Sequence, residues 1–133
     1  MTSKIIYQGD LRTQAIHIRS GNNIITDAPT DNNGKGEYFS PTDLLAASLG
    51  SCMLTIIGIY SIKNDLDIKG ASAEITKVMT NNPRRGEKIM VNLDFSGFNL
   101  SSKTQNVFKR LAENCPVALS LNKEIKQALN LKF

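Results

Sequence analysis

The sequence predicts an α+β domain with antiparallel sheet and one long helix. Three observations predict it. The first quarter of the chain and the stretch beyond Asp65 both break into short segments bounded by turn residues. Between them, no charged residue occurs from Leu44 to Ile62. Two further helical segments then precede a last strand.

Strands are expected at residues 4–8, 12–19 and 23–26, separated by Gly9-Asp10 and by Ser20-Gly21-Asn22. Residues 27–39 are too polar and glycine-rich for regular structure, and a loop of that length in a small domain is often functional. Ser40-Pro41-Thr42-Asp43 then opens a helix. Ser40 can cap it, Pro41 has the fixed φ of a first helical residue, and Asp43 stands where a capping-box acid reaches back.

The uncharged stretch is long enough to be weighed as a membrane span. Ser48, Gly50, Ser51, Thr55, Gly58 and Ser61 dilute it, however, and the strands on both sides need a shared core. No membrane partner is expected, and the helix is read as buried on nearly all sides. Small residues at Ala46/Gly50 and Ala47/Ser51 would admit a close partner helix, which in so short a chain points to a second subunit.

Beyond Asp65, Ala73 and Ile75 alternate with Ser72, Glu74 and Thr76. Ile89, Val91, Leu93 and Phe95 alternate with Lys88, Asn92 and Asp94, giving two strands that each offer one apolar face. Residues 81–86 form the turn between them. A helix at 101–114 places Phe108, Leu111, Ala112 and Cys115 on one face, a short helical turn follows from Pro116, and a last strand occupies 124–133.

With 41% hydrophobic and 21% charged residues the chain can build a core and has no disordered composition. Its +4 charge is spread from Lys4 to Lys132 with no basic run longer than two residues, so nucleic acid is not an expected partner. The N-terminus lacks the apolar segment and small-residue cleavage site of an exported chain, and a cytoplasmic location is expected.

There are two cysteines and no Cys-x-x-Cys pair, and His17 is the only histidine. A zinc site would be short of ligands, so neither metal nor cofactor is expected. A persistent structural disulfide does not suit a reducing compartment. What remains is two inert core thiols or a redox pair.

If Gly50-Ser51 breaks the helix, Cys52 lies near a helix N-terminus, where the local positive potential favours thiolate. Without that break it is one more apolar group. Cys115 precedes Pro116 and stands at the cap of the following turn, near backbone N–H groups, though it would equally complete the apolar stripe of Phe108 and Leu111.

In a regular strand Arg12 shares its face with Ile16 and Ile18. A guanidinium on the core side needs a carboxylate or thiolate partner, unless Arg12 belongs to the Gly9-Asp10 turn and is solvated. Asp43 is a candidate partner besides its capping role. It stands nine positions before Cys52, half a rotation out of phase and about 13 Å along a continuous helix, so it could act on the thiol only by orienting an arginine. His17 falls on the opposite strand face and reads as structural or surface. Asp27, Asp31 and Glu37 do not match a calcium-loop spacing.

The stretch from Phe39 through Ser40-Pro41-Thr42-Asp43 to Gly50-Ser51-Cys52, with Asn114-Cys115-Pro116-Val117 later, resembles the two cysteine motifs of the OsmC/Ohr family, the osmotically inducible and organic hydroperoxide resistance proteins. The likeness covers nearly the whole chain. It implies a single OsmC-like domain over residues 1–133 and an intertwined homodimer with sheets around central helices.

The resemblance further implies a peroxidase acting on organic hydroperoxides. Cys52 attacks as thiolate, Cys115 resolves the sulfenic acid to a disulfide, and a dithiol reductant resets the pair. Arg12 is the best match for the family's thiolate-stabilising arginine. The Ohr branch carries an acid where this chain has Thr42, with Asp43 the nearest carboxylate, so the likeness is to an OsmC-related branch. The rival reading is a non-catalytic dimer of the same fold that senses oxidation or binds a small ligand.

Overall fold

A computed structural model describes all 133 residues. Along the chain run β1 (Ser3–Gly9), β2 (Arg12–His17), β3 (Asn23–Asp27), a 3-10 turn at Thr30–Asn32, α1 (Pro41–Lys63), β4 (Ser72–Thr80), β5 (Arg85–Asp94), α2 (Ser102–Glu113), α3 (Pro116–Ser120) and β6 (Lys126–Lys132). They fall into two units, Met1–Leu45 and Ala46–Phe133. The α+β class expected from the sequence is the class observed.

In the N-terminal unit β1, β2 and β3 form an antiparallel sheet in that order. The hairpin between β2 and β3 closes at His17, whose N–H donates to the Asn22 carbonyl at 2.8 Å while its own carbonyl accepts from Gly21 at 2.9 Å. Gly21 takes φ 74°, a left-handed value that glycine adopts without strain. β2 therefore ends at His17 and not at residue 19, because the chain must leave the ladder there to turn. The resulting register sets Arg12 opposite Asp27. Residues 27–39 are less irregular than expected, since Asp27 closes β3 and the 3-10 turn follows.

In the C-terminal unit β4 pairs antiparallel with β5, but β6 pairs parallel with β5. The expectation of purely antiparallel pairing is corrected here. Parallel neighbours need a long crossover, and α2 with α3 supplies it.

The core joins one face of α1, with Leu49, Met53 and Ile57, to Ile89, Val91, Leu93 and Phe95 and to Phe108 and Ala112 of α2. Ring centroids of Phe95 and Phe108 lie 5.0 Å apart, and Tyr60 meets Phe108 edge-on at 6.1 Å.

Gly50 packs against β4, where a Cβ would fall 2.4 Å from Ile75 Cδ1. The small residues Ala46 and Gly50 are thus buried, and Gly50 faces this chain's own sheet, not a partner helix as its sequence position led one to expect. By length and composition α1 could cross a membrane, with mean hydropathy 1.8. Its Leu49, Met53 and Ile57 are nevertheless buried in the core, while Leu45, Ile59 and Ile62 are exposed, Ile62 by 78%. Burial of α1 on nearly all sides is not met within one chain.

Candidate functional site

α1 runs unbroken through Gly50-Ser51. Cys52 consequently sits in mid-helix, and the helix-start environment considered for its thiol does not exist. A mid-helix residue has its own N–H engaged in the helical ladder, so no free backbone donors converge on the sulfur. The side chain is half-buried.

Cys115 occupies the other position considered for it. Its backbone is extended at φ −68°, ψ 150°, Pro116 opens α3, and Cys115 Sγ accepts the Ala118 N–H at 3.4 Å. Proline at the first helical position loses no hydrogen bond and arrives with the right φ. The thiol is fully buried. Both cysteines are free; Cys115 belongs to the buried core and Cys52 packs against it.

Burial, foremost, pushes the Cys115 thiol above its ordinary value. The neighbouring Cys52 adds to the shift and the Ala118 N–H opposes it. Cys115 is therefore a neutral thiol near pH 7, able to donate its S–H while its sulfur receives a backbone N–H.

A second cluster belongs to the N-terminal unit. Arg12 Nη2 lies 3.4 Å from Asp27 Oδ2 and also donates to Glu37 Oε2. Its guanidinium carbon stands 5.0 Å from the centroid of the Tyr38 ring. Asp27 Oδ2 also accepts the Glu37 backbone N–H at 3.1 Å.

Burial works against the charged form of Asp27, yet the Glu37 N–H and the Arg12 charge outweigh it and hold the carboxyl below the usual range. Arg12 is raised, chiefly by its hydrogen bond to Glu37. Arg12 is thus neither a solvated turn residue nor an unpaired charge on a core face.

Asp43 closes the capping box at the start of α1: Ser40 N–H donates to Asp43 Oδ2 at 2.8 Å, and Asp43 N–H donates to Ser40 Oγ at 3.0 Å. The carboxylates seen on Arg12 are Asp27 and Glu37, which sequence reasoning weighed only as calcium ligands. The signal for Asp27 was the β2–β3 register. With the turn centred on Gly21, Arg12 is aimed past Asp27. With β2 ending at His17 they are direct partners. His17 is exposed and pairs through Nδ1 with Ser20 Oγ at 2.7 Å, as a surface residue.

The family model for OsmC-like proteins matches residues 34–130. A crystal structure of a protein from Psychrobacter arcticus 273-4, proposed to be an osmotic stress induced and detoxification response protein, is 55% identical. The match covers 98% of this chain and 95% of that one, with a TM-score of 0.95.

The OsmC-like protein of Mycoplasma pneumoniae aligns over 98% of this chain and 94% of its own at 17% identity and a TM-score of 0.80. The organic hydroperoxide resistance protein OhrB of Bacillus subtilis aligns over 99% and 98% at 14% identity and a TM-score of 0.69. At those identities the likeness is one of fold. No match was found among curated proteins. The chain belongs to the OsmC family, and its two cysteines lie within the matched residues.

Proposed function

We propose that this protein is a cysteine-based peroxidase that reduces organic hydroperoxides, with Cys52 as the attacking thiol and Cys115 as the resolving one. The observation that carries the reading is the placement of a half-buried free thiol, Cys52, against the same core that holds a fully buried one, Cys115. Family membership supports it, as do the organic hydroperoxide resistance proteins among the structural neighbours.

As a thiolate, Cys52 attacks the O–O bond of the hydroperoxide and takes one oxygen. The other leaves as an alcohol after protonation, and Cys52 becomes a sulfenic acid. The Cys115 sulfur then displaces that hydroxyl, forming the disulfide and releasing water. An external dithiol reduces the disulfide and is itself oxidised to a disulfide. A neutral Cys115 suits this order, because it can donate a hydrogen bond to a Cys52 thiolate without competing as a nucleophile. Arg12 enters through the family resemblance as the cation that favours the thiolate. Its ion pairs with Asp27 and Glu37 support a fixed guanidinium.

A homodimer is part of the reading. Ile59 and Ile62 of α1 and Ile5, Ile6 and Tyr7 of β1 are exposed apolar groups that a second copy would cover.

The deciding experiment is the intact mass of the reduced protein seconds after one equivalent of cumene hydroperoxide, with hydrogen peroxide in parallel. A loss of two hydrogens is expected, replaced in Cys115→Ser by one added oxygen on Cys52. An unchanged mass with both peroxides would sink the peroxidase reading in favour of a non-catalytic dimer.

A further inference from the structure

We infer that the open edge of β6, together with the hollow between it and α2, takes up an extended acidic segment of a partner protein as an added strand. β6 pairs only with β5, so its other edge carries backbone N–H and C=O groups without a neighbouring strand. The Phe95 N–H donates to the Lys132 carbonyl at 2.7 Å, which turns the backbone of Lys132 towards β5. Backbone groups alternate in direction along a strand, so those of Gln127, Leu129 and Leu131 face the open side. Proline and bulges, two devices that blunt an edge, are absent from Lys126–Lys132.

Beside that edge lies a hollow of about 240 Å³, with Gln105, Asn106 and Lys109 of α2 on one side and Leu129, Leu131 and Phe133 on the other. The Phe133 ring is stacked on Phe95 at 5.9 Å, which fixes the apolar side. Gln127 Nε2 donates to the Ala118 carbonyl at 2.9 Å, so Gln127, Leu129 and Leu131 point towards the helices and Lys126, Ala128, Asn130 and Lys132 to the outer face. An added strand alternates in the same way. Every second side chain would enter the hollow against Leu129 and Leu131, and the others would lie beside Lys126 and Lys132.

Charge selects the occupant. Lys126 stands directly opposite Lys88 on the outer face, and like charges so placed repel. A carboxylate on the added strand would relieve that repulsion, and Lys109 sets a further cation beside the hollow. A second β6 laid antiparallel on this edge would instead bring Lys126 against Lys132, so the edge disfavours its own copy. The edge and the hollow belong wholly to the C-terminal unit, and their residues take no part in the proposed two-cysteine chemistry.

The test uses the full chain and a labelled synthetic peptide of alternating Glu and Val, seven residues long like β6. Affinity is read by fluorescence anisotropy, and the solvent exchange of the Leu129 and Leu131 amides by NMR. At saturation the peptide should slow both amides by about tenfold or more, as pairing protects a strand N–H. It should bind about tenfold more tightly than its counterpart with Lys for Glu, a difference that two cross-strand charge pairs can supply. Lys126→Glu should remove most of that preference, while Lys103→Glu, the same charge change elsewhere on α2, should keep it. Unchanged exchange at both amides, equal or tighter binding of the basic peptide, or an equal loss in Lys103→Glu overturns the inference. So does slow exchange without peptide that speeds up on dilution, which would put a second copy of this chain on the edge.

Discussion

Cys115 Sγ accepts the backbone N–H of Ala118, so the buried thiol is the N-cap of α3. In the proposed cycle one atom therefore has two duties, capping a five-residue helix and resolving the Cys52 sulfenic acid. Serine is among the best N-caps and alanine among the poorest.

Replacing Cys115 by Ser should leave urea stability close to wild type while abolishing disulfide formation. Cys115→Ala should lose about 1 kcal/mol from the cap, with a further loss from the small cavity. Equal stability of the two variants would mean that the sulfur does no capping.

Cys115 also sets a pH dependence. Burial and the adjacent Cys52 raise its folded-state value above the ordinary thiol value. The folded protein keeps a proton that the unfolded chain releases, so this stabilisation is complete below about pH 8.5, the unfolded thiol value. It is lost as pH rises from there through the folded value. The urea midpoint of the reduced protein is expected to fall above that pH, and Cys115→Ser should remove this part of the fall. A wild-type and a Cys115→Ser profile that stay parallel would exclude the coupling.

Most of the fold was legible because periodicity and turn chemistry are local. Ser40-Pro41-Thr42-Asp43 carries its own helix start, and the capping box forms as its residue types require. What escaped was set by tertiary context. Gly50-Ser51 is a weak helix pair, yet the packing of α1 through Leu49, Gly50 and Met53 keeps the helix whole and so removes Cys52 from any helix end. β6 reads as a strand but carries no mark of its direction, which the α2–α3 crossover decides. Arg12 was legible as a charge in need of a partner. Asp27 was not, because the partner depends on where β2 leaves the ladder at His17.

The uncovered side of α1 leads to a prediction about assembly. Ile59 is 46% and Ile62 78% exposed within one chain. A glutamate at either position is harmless on a solvated helix but intolerable inside an apolar interface. Sedimentation of the wild type at micromolar concentration should give the mass of two chains, and Ile62→Glu or Ile59→Glu should give that of one. A monomeric wild type would remove the dimer from the reading.

Gly50 gives a test of how α1 meets β4. In an isolated helix Gly→Ala gains about 1 kcal/mol. Here the new Cβ would lie 2.4 Å from Ile75 Cδ1 and 3.2 Å from its Cγ1, so Ile75 must leave its rotamer or the helix must retreat. Overpacking of this kind costs about 1–3 kcal/mol, enough to cancel or reverse the helical gain. Gly50→Ala is therefore expected to lower stability by up to about 2 kcal/mol, the difference between those two effects. Ile75→Val deletes Cδ1 and alone costs about 1 kcal/mol. The double variant should be at least as stable as Gly50→Ala, with a coupling on the order of 1 kcal/mol in a double-mutant cycle. Strict additivity would mean that α1 can shift away from β4 freely, and that the glycine is not what sets their separation.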